Sequence, residues 1–296
     1  MLRNPLKLDP QRSTMLRRKF VGEMNQKFRK IKGKINQLVV VEDSFGLDQK
    51  GITFNEPFHF ISDEAKIVNF QRWLQGQVDA DILTVGSTGA PWTNPYIGSS
   101  YKKGLVRSYV ETHSESLAKS SDFYGGSKAE FLREAFGGSV GTKQVGLLYT
   151  RAFDALAGVT DTMGHEMSRV LADGLSQGLG SDQVARSLNR QVDGLTKTRA
   201  RVVARTELAR AHAEGQLDGY EKLGVEELGI MAEWSTTLDD RVCPQCGNLE
   251  GVVMSVKEAR GLIPRHPNCR CAWIPADAKV KEKGQPARSN YETLQR

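Results

Sequence analysis

The spacing of cysteine and histidine near the end of the chain restricts its fold more than any other feature. All four cysteines of the 296-residue chain and one of its five histidines lie between residues 234 and 275: Cys243, Cys246, His266, Cys269 and Cys271. They form a C-x2-C pair and, after 19 intervening residues, an H-x2-C pair. Two ligands on one tight turn point at a common centre, and two such turns supply four tetrahedral ligands. The spacing therefore predicts a structural zinc site.

The fourth ligand of this site has two interpretations, because Cys243, Cys246 and Cys269 belong to both. His266 is the preferred fourth ligand. Cys271 is the alternative, which gives an all-cysteine site with a less usual C-x-C half. Thiols without metal and disulfides are further alternatives. No secretory signal is visible at the start of the sequence, so a reducing compartment is expected and disulfides are disfavoured.

Three pieces around this site occur in an order and spacing that resemble one protein family: ARTELARAHAEGQLDGYEKLGV at 204–225, EWSTTLDDRVCPQCGNLEG at 233–251, and HPNCRCAWIP at 266–275. They are similar to the C-terminal core of the phage minor head proteins, the Mu F-like head morphogenesis family. Weaker resemblance continues upstream in LADGLSQGLGSDQVARSLNRQV at 171–192 and LDPQRSTMLRRKF at 8–20.

The resemblance implies a phage minor capsid protein. It implies association with the portal vertex and the procapsid interior, with portal, capsid or scaffold proteins as partners. It also implies a role in head assembly, DNA packaging or DNA delivery. The expected location is the virion, and the host cytoplasm during assembly.

The first 34 residues form a basic arm, with eleven Lys or Arg against Asp9 and Glu23. Such an arm suits an acidic partner, either phage DNA or an acidic protein surface, although a solvated helix face is the plainer interpretation. The candidate binding residues are Arg12, Arg17, Arg18, Lys19, Lys27, Arg29 and Lys30, of which Arg17–Lys19 is the preferred patch.

The same arm has the apolar period of a helix over residues 9–40, with Asp9-Pro10 as its predicted start. Its apolar residues recur at three- or four-residue intervals and form one stripe: Leu16, Phe20, Met24, Phe28, Ile31 and Ile35. A stripe of this kind packs either on its own domain or on a partner. Both interpretations remain open from the sequence.

The whole chain is predicted to be mainly α, elongated and multi-helix, with a small α+β C-terminal module like a zinc knuckle. The predicted division is a basic helical region at 1–83, a Gly/Ser/Pro-rich hinge with short helices at 84–141, a helical core at 142–225, the cysteine-rich module at 226–276 and a flexible tail at 277–296. In the module, strands are expected at 230–236, 251–254 and 270–274, with a Ser255–Glu258 capping box. No run of about 18 apolar residues occurs, so no membrane span is predicted.

An active site is not predicted. The other histidines are scattered and are expected to be surface or hydrogen-bonded residues: His59, His113, His165 and His212. An HNH-like nuclease is one alternative, since such enzymes mount a catalytic unit on cysteine knuckles, but His266 is already required for zinc. Glu250 and Glu258 are candidate activating acids by proximity only. A zinc-dependent, salt-sensitive DNA-binding module is the second alternative. The preferred function is a structural, non-enzymatic one.

Overall fold

The structure, a computed structural model, describes residues 10–48, 63–87, 89–114, 124–137, 139–224 and 230–277. The helices in these ranges are α1 (Thr14–Asn36), α2 (Asp63–Asp81), α3 (Asn94–Ser114), α4 (Lys128–Gly137), α5 (Ser139–Ser176), α6 (Ser181–Leu195), α7 (Arg201–Lys222), α8 (Pro244–Gly247) and α9 (Val256–Ala259). Two π-helical turns, Gln37–Val41 and Thr196–Ala200, follow α1 and α6. The strands are β1 (Ile230–Ser235), β2 (Val253–Met254) and β3 (Ala272–Asp277).

The chain folds as two compact units built from interleaved segments. Unit 1 comprises Met1–Arg18, Thr93–Ala152 and Val203–Arg296, and unit 2 comprises Lys19–Trp92 and Phe153–Val202. Helices α1 and α5 each contribute residues to both units. The division into five consecutive segments stays a prediction, as does the elongated shape.

Unit 2 is organised around the apolar stripe of α1. Phe20, Met24 and Phe28 of this stripe are at most 1% exposed, and Ile31 and Ile35 are fully buried. They share the core with side chains of three other helices: Phe70, Leu74, Val78, Met163, Met167, Leu171, Val184, Leu188 and Val192. Burying one large apolar side chain stabilises a fold by about 1.5–3 kcal/mol. Of the two interpretations of the stripe, packing on its own domain is confirmed.

The start of α1 differs from the prediction. The helix begins at Thr14 rather than at residue 9, and Asp9 lies outside the described residues. Arg12 has φ 48°, in the left-handed region, which cannot continue a right-handed helix. The residues before Thr14 are therefore free to make other contacts.

Ser181, which precedes an apolar helical period, is predicted from the sequence to be the N-cap of α6, and this is wrong in its residue. Ser181 is the first residue of the helix and Gly180 is its N-cap. The amide and hydroxyl of Ser181 both donate to the carboxylate of Asp48, at 2.9 and 2.5 Å. A carboxylate from a distant loop thus accepts hydrogen bonds at the start of α6, the role that was predicted for the serine hydroxyl.

In unit 1, helices α3 and α7 cross with their backbones in contact. A Cβ atom added to Gly104 would overlap the carbonyl oxygen of His212, and one added to Gly215 would overlap that of Tyr101. The hydroxyl of Ser100 donates to the carbonyl of Leu208 at 2.7 Å. The sequence places small residues, including Ala211 and Gly215, along one narrow face of α7, which predicts close helix packing. The structure confirms that this face lies against α3.

The Gly/Ser-rich stretch 84–104 is predicted as a loop or hinge from which the next helix opens at Ser99, and this is wrong for residues 94–98. Helix α3 begins at Asn94, with Pro95 in its first turn, where proline is well tolerated. Its small residues, including Ser100 and Gly104, are those that permit the contact with α7. Tertiary packing therefore overrides a weak local helix propensity.

The C-terminal module (residues 230–277) is a three-stranded antiparallel sheet in the order β2-β1-β3. Trp234 pairs with Trp273 across β1 and β3, and their rings meet edge to face at 5.3 Å. Ser255 and Glu258 form the predicted capping box. A mainly α chain with a small α+β module at its C-terminal end is therefore confirmed. Among the described residues, no helix has both the length and the apolar character needed to cross a bilayer.

Candidate metal centre

The first knuckle of the centre is the short helix α8. Cys243 is its N-cap, Pro244 is its first residue, and the amide of Cys246 lies 3.4 Å from the sulfur of Cys243. Proline at the first helical position fixes φ without losing a hydrogen bond. The C-x2-C spacing thus places both sulfurs on the same side of one helical turn, with Cys246 buried.

The second knuckle is a turn from His266 to Cys269. The amide of Cys269 donates to the carbonyl of His266 at 3.1 Å, and Asn268 has φ 65°, a conformation that asparagine tolerates. The amide of Asn268 also donates to the hydroxyl of Thr206 on α7, at 3.1 Å. The turn is therefore shaped by its own sequence and held against the long helix.

The two knuckles bring sulfur and nitrogen atoms to the separations of a zinc site. Nε2 of His266 lies 3.2 Å from the sulfur of Cys243 and 3.2 Å from that of Cys246. The sulfurs of Cys246 and Cys269 are 3.9 Å apart. Tetrahedral zinc, with Zn–S of about 2.3 Å and Zn–N of about 2.0–2.1 Å, requires separations of about 3.8 Å between sulfurs and about 3.6 Å between sulfur and nitrogen. The cluster is close to that spacing.

The five candidate ligands form two overlapping triads. One is Cys243, Cys246 and His266, and the other is Cys246, Cys269 and Cys271, with the ligand atoms of each within 4.8 Å of one another. Cys246 belongs to both. All four cysteines are free thiols. The five residues are thus close enough to hold a metal ion, and the choice between His266 and Cys271 as fourth ligand stays a prediction.

The imidazole of His266 is oriented by the backbone. Its Nδ1 lies 2.8 Å from the carbonyl oxygen of Pro267, and because a carbonyl oxygen only accepts, Nδ1 carries the hydrogen. In the neutral ring this leaves the lone pair of Nε2 facing the two sulfurs of the first knuckle. A ligating histidine commonly has such a backbone partner on its other nitrogen.

The three buried thiols, Cys246, Cys269 and Cys271, shift one another's pKa in opposite directions. Hydrogen bonds from Cys246 and then Cys271 lower the pKa of Cys269. The hydrogen bond to Cys269 raises the pKa of Cys246, and the one involving Cys246 raises that of Cys271. A lower pKa favours the thiolate, which is the form that binds metals, at Cys269.

A carboxylate–guanidinium pair fixes the residue between the last two cysteines. Both oxygens of Asp239 accept from Arg270, each at 2.6 Å, and Thr237 donates to the same carboxylate at 2.9 Å. The Arg270 hydrogen bond holds the pKa of Asp239 well below its usual range. A bidentate pair of this kind adds geometric precision as well as energy. Asp239 therefore positions the segment between Cys269 and Cys271, just before β3.

Gln11 ties the start of the described chain to the same segment before β3. Its side-chain amide donates to the carbonyls of Cys269, at 3.3 Å, and Cys271, at 3.0 Å. Gln11 is only 3% exposed, although it is 258 residues from Cys269 in sequence. Sequence reasoning missed this contact, because a lone glutamine carries no motif.

Helix α7 is attached to the module through polar side chains that sequence reasoning also missed. The amide of Gln216 donates to the carbonyl of Trp273 at 2.7 Å and accepts from its backbone amide at 3.2 Å, so it pairs with β3 like a neighbouring strand. Arg260 of the module binds Asp218 at 2.6 Å, Glu214 at 3.3 Å, and Glu221. The spacing of these three carboxylates along one helical face was the available signal.

The two acids considered for catalysis have structural partners. Glu250 accepts the backbone amide of Thr236 at 2.5 Å, and Glu258 closes the capping box with Ser255. Glu207 of α7 is also buried. Its nearest partners are Arg151 at 3.5 Å and Arg210 at 3.8 Å rather than the module backbone, and burial raises its pKa.

The candidate cations of the basic arm divide into exposed and engaged side chains. Arg12, Arg18, Lys19, Arg29 and Lys30 are exposed, and Arg17 is half-buried. Lys27 is engaged inside unit 2: its Nζ donates to Asp81 and Thr84 at 3.1 and 3.0 Å, and burial lowers its pKa. Binding of a partner by these residues stays a prediction.

Comparison with known protein families gives a match for the segment that contains α6, α7 and the cysteine–histidine cluster. Residues 165–274 match the model of the family described as Phage Mu protein F like protein. The resemblance to the Mu F-like proteins is therefore confirmed over this part of the chain. No curated protein and no solved structure matches the chain.

The Mu F-like match supports a phage head-related protein with capsid-related partners and a location in the virion or head. A head family of this kind favours a structural role over an enzymatic one. The metal that the cluster would hold is not identified by the match.

Proposed function

We propose that this protein is a minor capsid protein that associates with the portal and the procapsid and aids head assembly, DNA packaging or DNA delivery. The observation that carries the proposal is the Mu F-like match over the same residues that build the cysteine–histidine cluster and its attachment to α7. The two acids near the cluster, Glu250 and Glu258, accept hydrogen bonds from backbone amides, which suits a structural part.

In this proposal the metal is zinc and its role is structural. The module has only a small apolar core around Trp234 and Trp273, and small units of this kind often depend on metal or disulfides for stability. Zinc would join the two knuckles, and Gln216 and Arg260 would then hold α7 against a rigid surface. Phage DNA or an acidic surface on the portal, capsid or scaffold protein would meet the exposed cations of α1.

The first test is the metal content of purified protein by elemental analysis, for wild type and for Cys243→Ser, His266→Ala and Cys271→Ser. About one zinc per chain is expected, the number that a four-ligand site implies. If zinc is lost from Cys243→Ser and His266→Ala but retained by Cys271→Ser, His266 is the fourth ligand. If zinc is instead retained by His266→Ala and lost from Cys271→Ser, the all-cysteine site is supported. A metal-free wild type contradicts the zinc role.

The second test is co-sedimentation with procapsids assembled with and without the portal protein. The proposal expects retention on particles that contain the portal and loss from particles that lack it. Arg18→Glu/Lys19→Glu should weaken retention, whereas Lys257→Glu, at an exposed lysine of the module, should not. Equal retention on both kinds of particle would contradict the association with the portal.

The nuclease and DNA-binding alternatives are tested on the same preparations with duplex DNA and a divalent metal. Nicking that is lost in a folded His266→Ala variant would favour the nuclease. The structural use of Glu250 and Glu258 argues against it. Binding that falls steeply with salt and disappears on metal removal would favour a zinc-dependent DNA-binding module.

A further inference from the structure

A groove in unit 1, lined by none of the five candidate metal ligands, remains without an assigned role. It has a volume of about 500 Å³ and runs along one face of α3, with the residues before α1 on its other side. Pockets of about 300–1,000 Å³ are typical of ligand sites in proteins. The side chains that decide its chemistry are Arg12, Lys102, Lys103, Val106, Val110 and His212.

The α3 side of the groove combines an apolar floor with an open end. Lys103, Val106 and Val110 follow one another at helical spacing, so they lie on one face. Val110 is 43% exposed, which makes it one of the exposed large apolar side chains of the described chain. The face from Ser99 to Val110 is about 16 Å long at about 1.5 Å per residue, which is enough for about five residues of extended chain.

The rim of the groove is cationic and uncompensated. Arg12, Lys102 and Lys103 are exposed, and no carboxylate in the described ranges forms an ion pair with any of them. The nearby Glu111 is already bound to Arg107 at 2.6 Å. Several like charges around one cleft focus a positive potential on it, and this favours an anionic ligand.

The α7 side of the groove contributes a buried histidine. His212 is 1% exposed, and its Nδ1 has no hydrogen-bond partner among the described residues. Burial, followed by Arg107 and Lys103, lowers the pKa of His212, so the ring is neutral at pH 7. Buried polar atoms without partners are rare in folded proteins and often belong to binding sites.

We propose that this groove binds an acidic, partly apolar peptide segment of a head protein, with its carboxylates on Arg12, Lys102 and Lys103 and an apolar side chain on Val106 and Val110. Duplex DNA fits less well, because its interfaces are strongly polar and the floor here is apolar. The first nine residues of this chain carry Arg3 and Lys7 against Asp9, so their charge has the wrong sign. The inference rests on the proposed function only in naming a head protein as the source.

The experiment measures fluorescence anisotropy of a short fluorescein-labelled peptide of alternating glutamate and leucine, with a glutamine–leucine peptide as its neutral match. The acidic peptide should bind and the neutral one should not. Lys102→Glu/Lys103→Glu and, separately, Val110→Asp should each weaken binding by about tenfold or more. Arg29→Glu/Lys30→Glu, which reverses two exposed charges on α1, should leave binding unchanged.

Several outcomes would overturn the inference. They are no binding of the acidic peptide, equal binding by all variants, or displacement of the peptide by a short DNA duplex. Binding that appears only after deletion of residues 1–9 would assign the groove to the chain's own start. Each variant is checked by circular dichroism, since all the changed side chains are exposed and the fold should persist. Co-sedimentation with portal-containing particles, measured separately, reports on the proposed function and not on this groove.

Discussion

Unit 2 and the C-terminal module differ in what holds them together. In unit 2 the helices bury a continuous apolar stripe, with Phe20, Phe28 and Phe70 each about 1% exposed. In the module, the Trp234–Trp273 pair and a small set of other buried apolar side chains, Val253, Val256 and Ile263 among them, are joined by polar contacts and by the cysteine–histidine cluster. The comparison shows that a segment with only a small apolar core can be fixed by a few directional contacts, each of which depends on correct placement of its partners.

The largest expected effect is that of metal removal on the module. Structural zinc contributes apparent binding free energies of about 10–16 kcal/mol in zinc-finger peptides, far more than a small module can otherwise supply. Stripping the metal with a chelator, or Cys246→Ser, should unfold residues 230–277, whereas α1 and α6 keep their apolar core. Hydrogen exchange read by mass spectrometry should show rapid exchange confined to the module. Unchanged protection there would contradict the comparison.

The reciprocal change is Phe28→Ala in unit 2. Removing a fully buried phenylalanine costs about 3–5 kcal/mol, since both the transfer free energy and the packing around the cavity are lost. The free energy of unfolding from urea titration should fall by this amount. At urea concentrations below the unfolding transition, the near-ultraviolet circular dichroism of the Trp234–Trp273 pair should be the same as in wild type. If the variant has lost that signal already in the absence of urea, the two regions do not differ as described.

Disrupting the contact of α3 with α7 is expected to cost less free energy than either change above, but an added methyl group should still destabilise it. Gly104→Ala places a methyl group against the carbonyl of His212 and should cost about 1–3 kcal/mol through overpacking. Gly146→Ala is the matched control, because Gly146 is exposed on α5 and has no atom within 4 Å of an added Cβ. That change should stabilise the protein by about 0.5–1 kcal/mol. The measurement is the thermal unfolding temperature of each variant. A shift of both temperatures in the same direction would contradict the close contact.

An effect of similar size is expected for Gln216→Leu. The change leaves the backbone amide and carbonyl of Trp273 without their partner, at a cost of about 1–3 kcal/mol. Gln216→Glu keeps an acceptor for the amide and should recover part of the loss. Protection of the Trp273 amide against hydrogen exchange is the direct measurement. Equal protection in wild type and Gln216→Leu would show that this clip contributes nothing.

Much of this architecture follows from local sequence signals. The C-x2-C and H-x2-C spacing identified the cluster, because two tight turns encode their geometry within a few residues. Ser255 and Glu258 identified their capping box for the same reason. The apolar stripe of α1 and the small residues of α7 follow from helical periodicity alone.

The misses are contacts between distant parts of the chain. Ser181 was expected to cap α6, but the carboxylate of Asp48 takes that role from 133 residues away. The first turn of α3 was expected to be a loop, because the packing of this Gly/Ser-rich helix on α7 cannot be read from local sequence. His212 was expected to be a surface or hydrogen-bonded histidine, and its buried place beside the groove depends on three separate segments.

The contact of Gln11 with Cys271 spans 260 residues and has a consequence for the order in which the protein is made. All residues of unit 2 have been synthesised once residue 202 is added, whereas unit 1 still lacks its last segment, Val203–Arg296, at that point. Domains generally fold as units during synthesis. Unit 2 should therefore be complete on the nascent chain, while the residues before α1 wait for the cysteine knuckles and their metal.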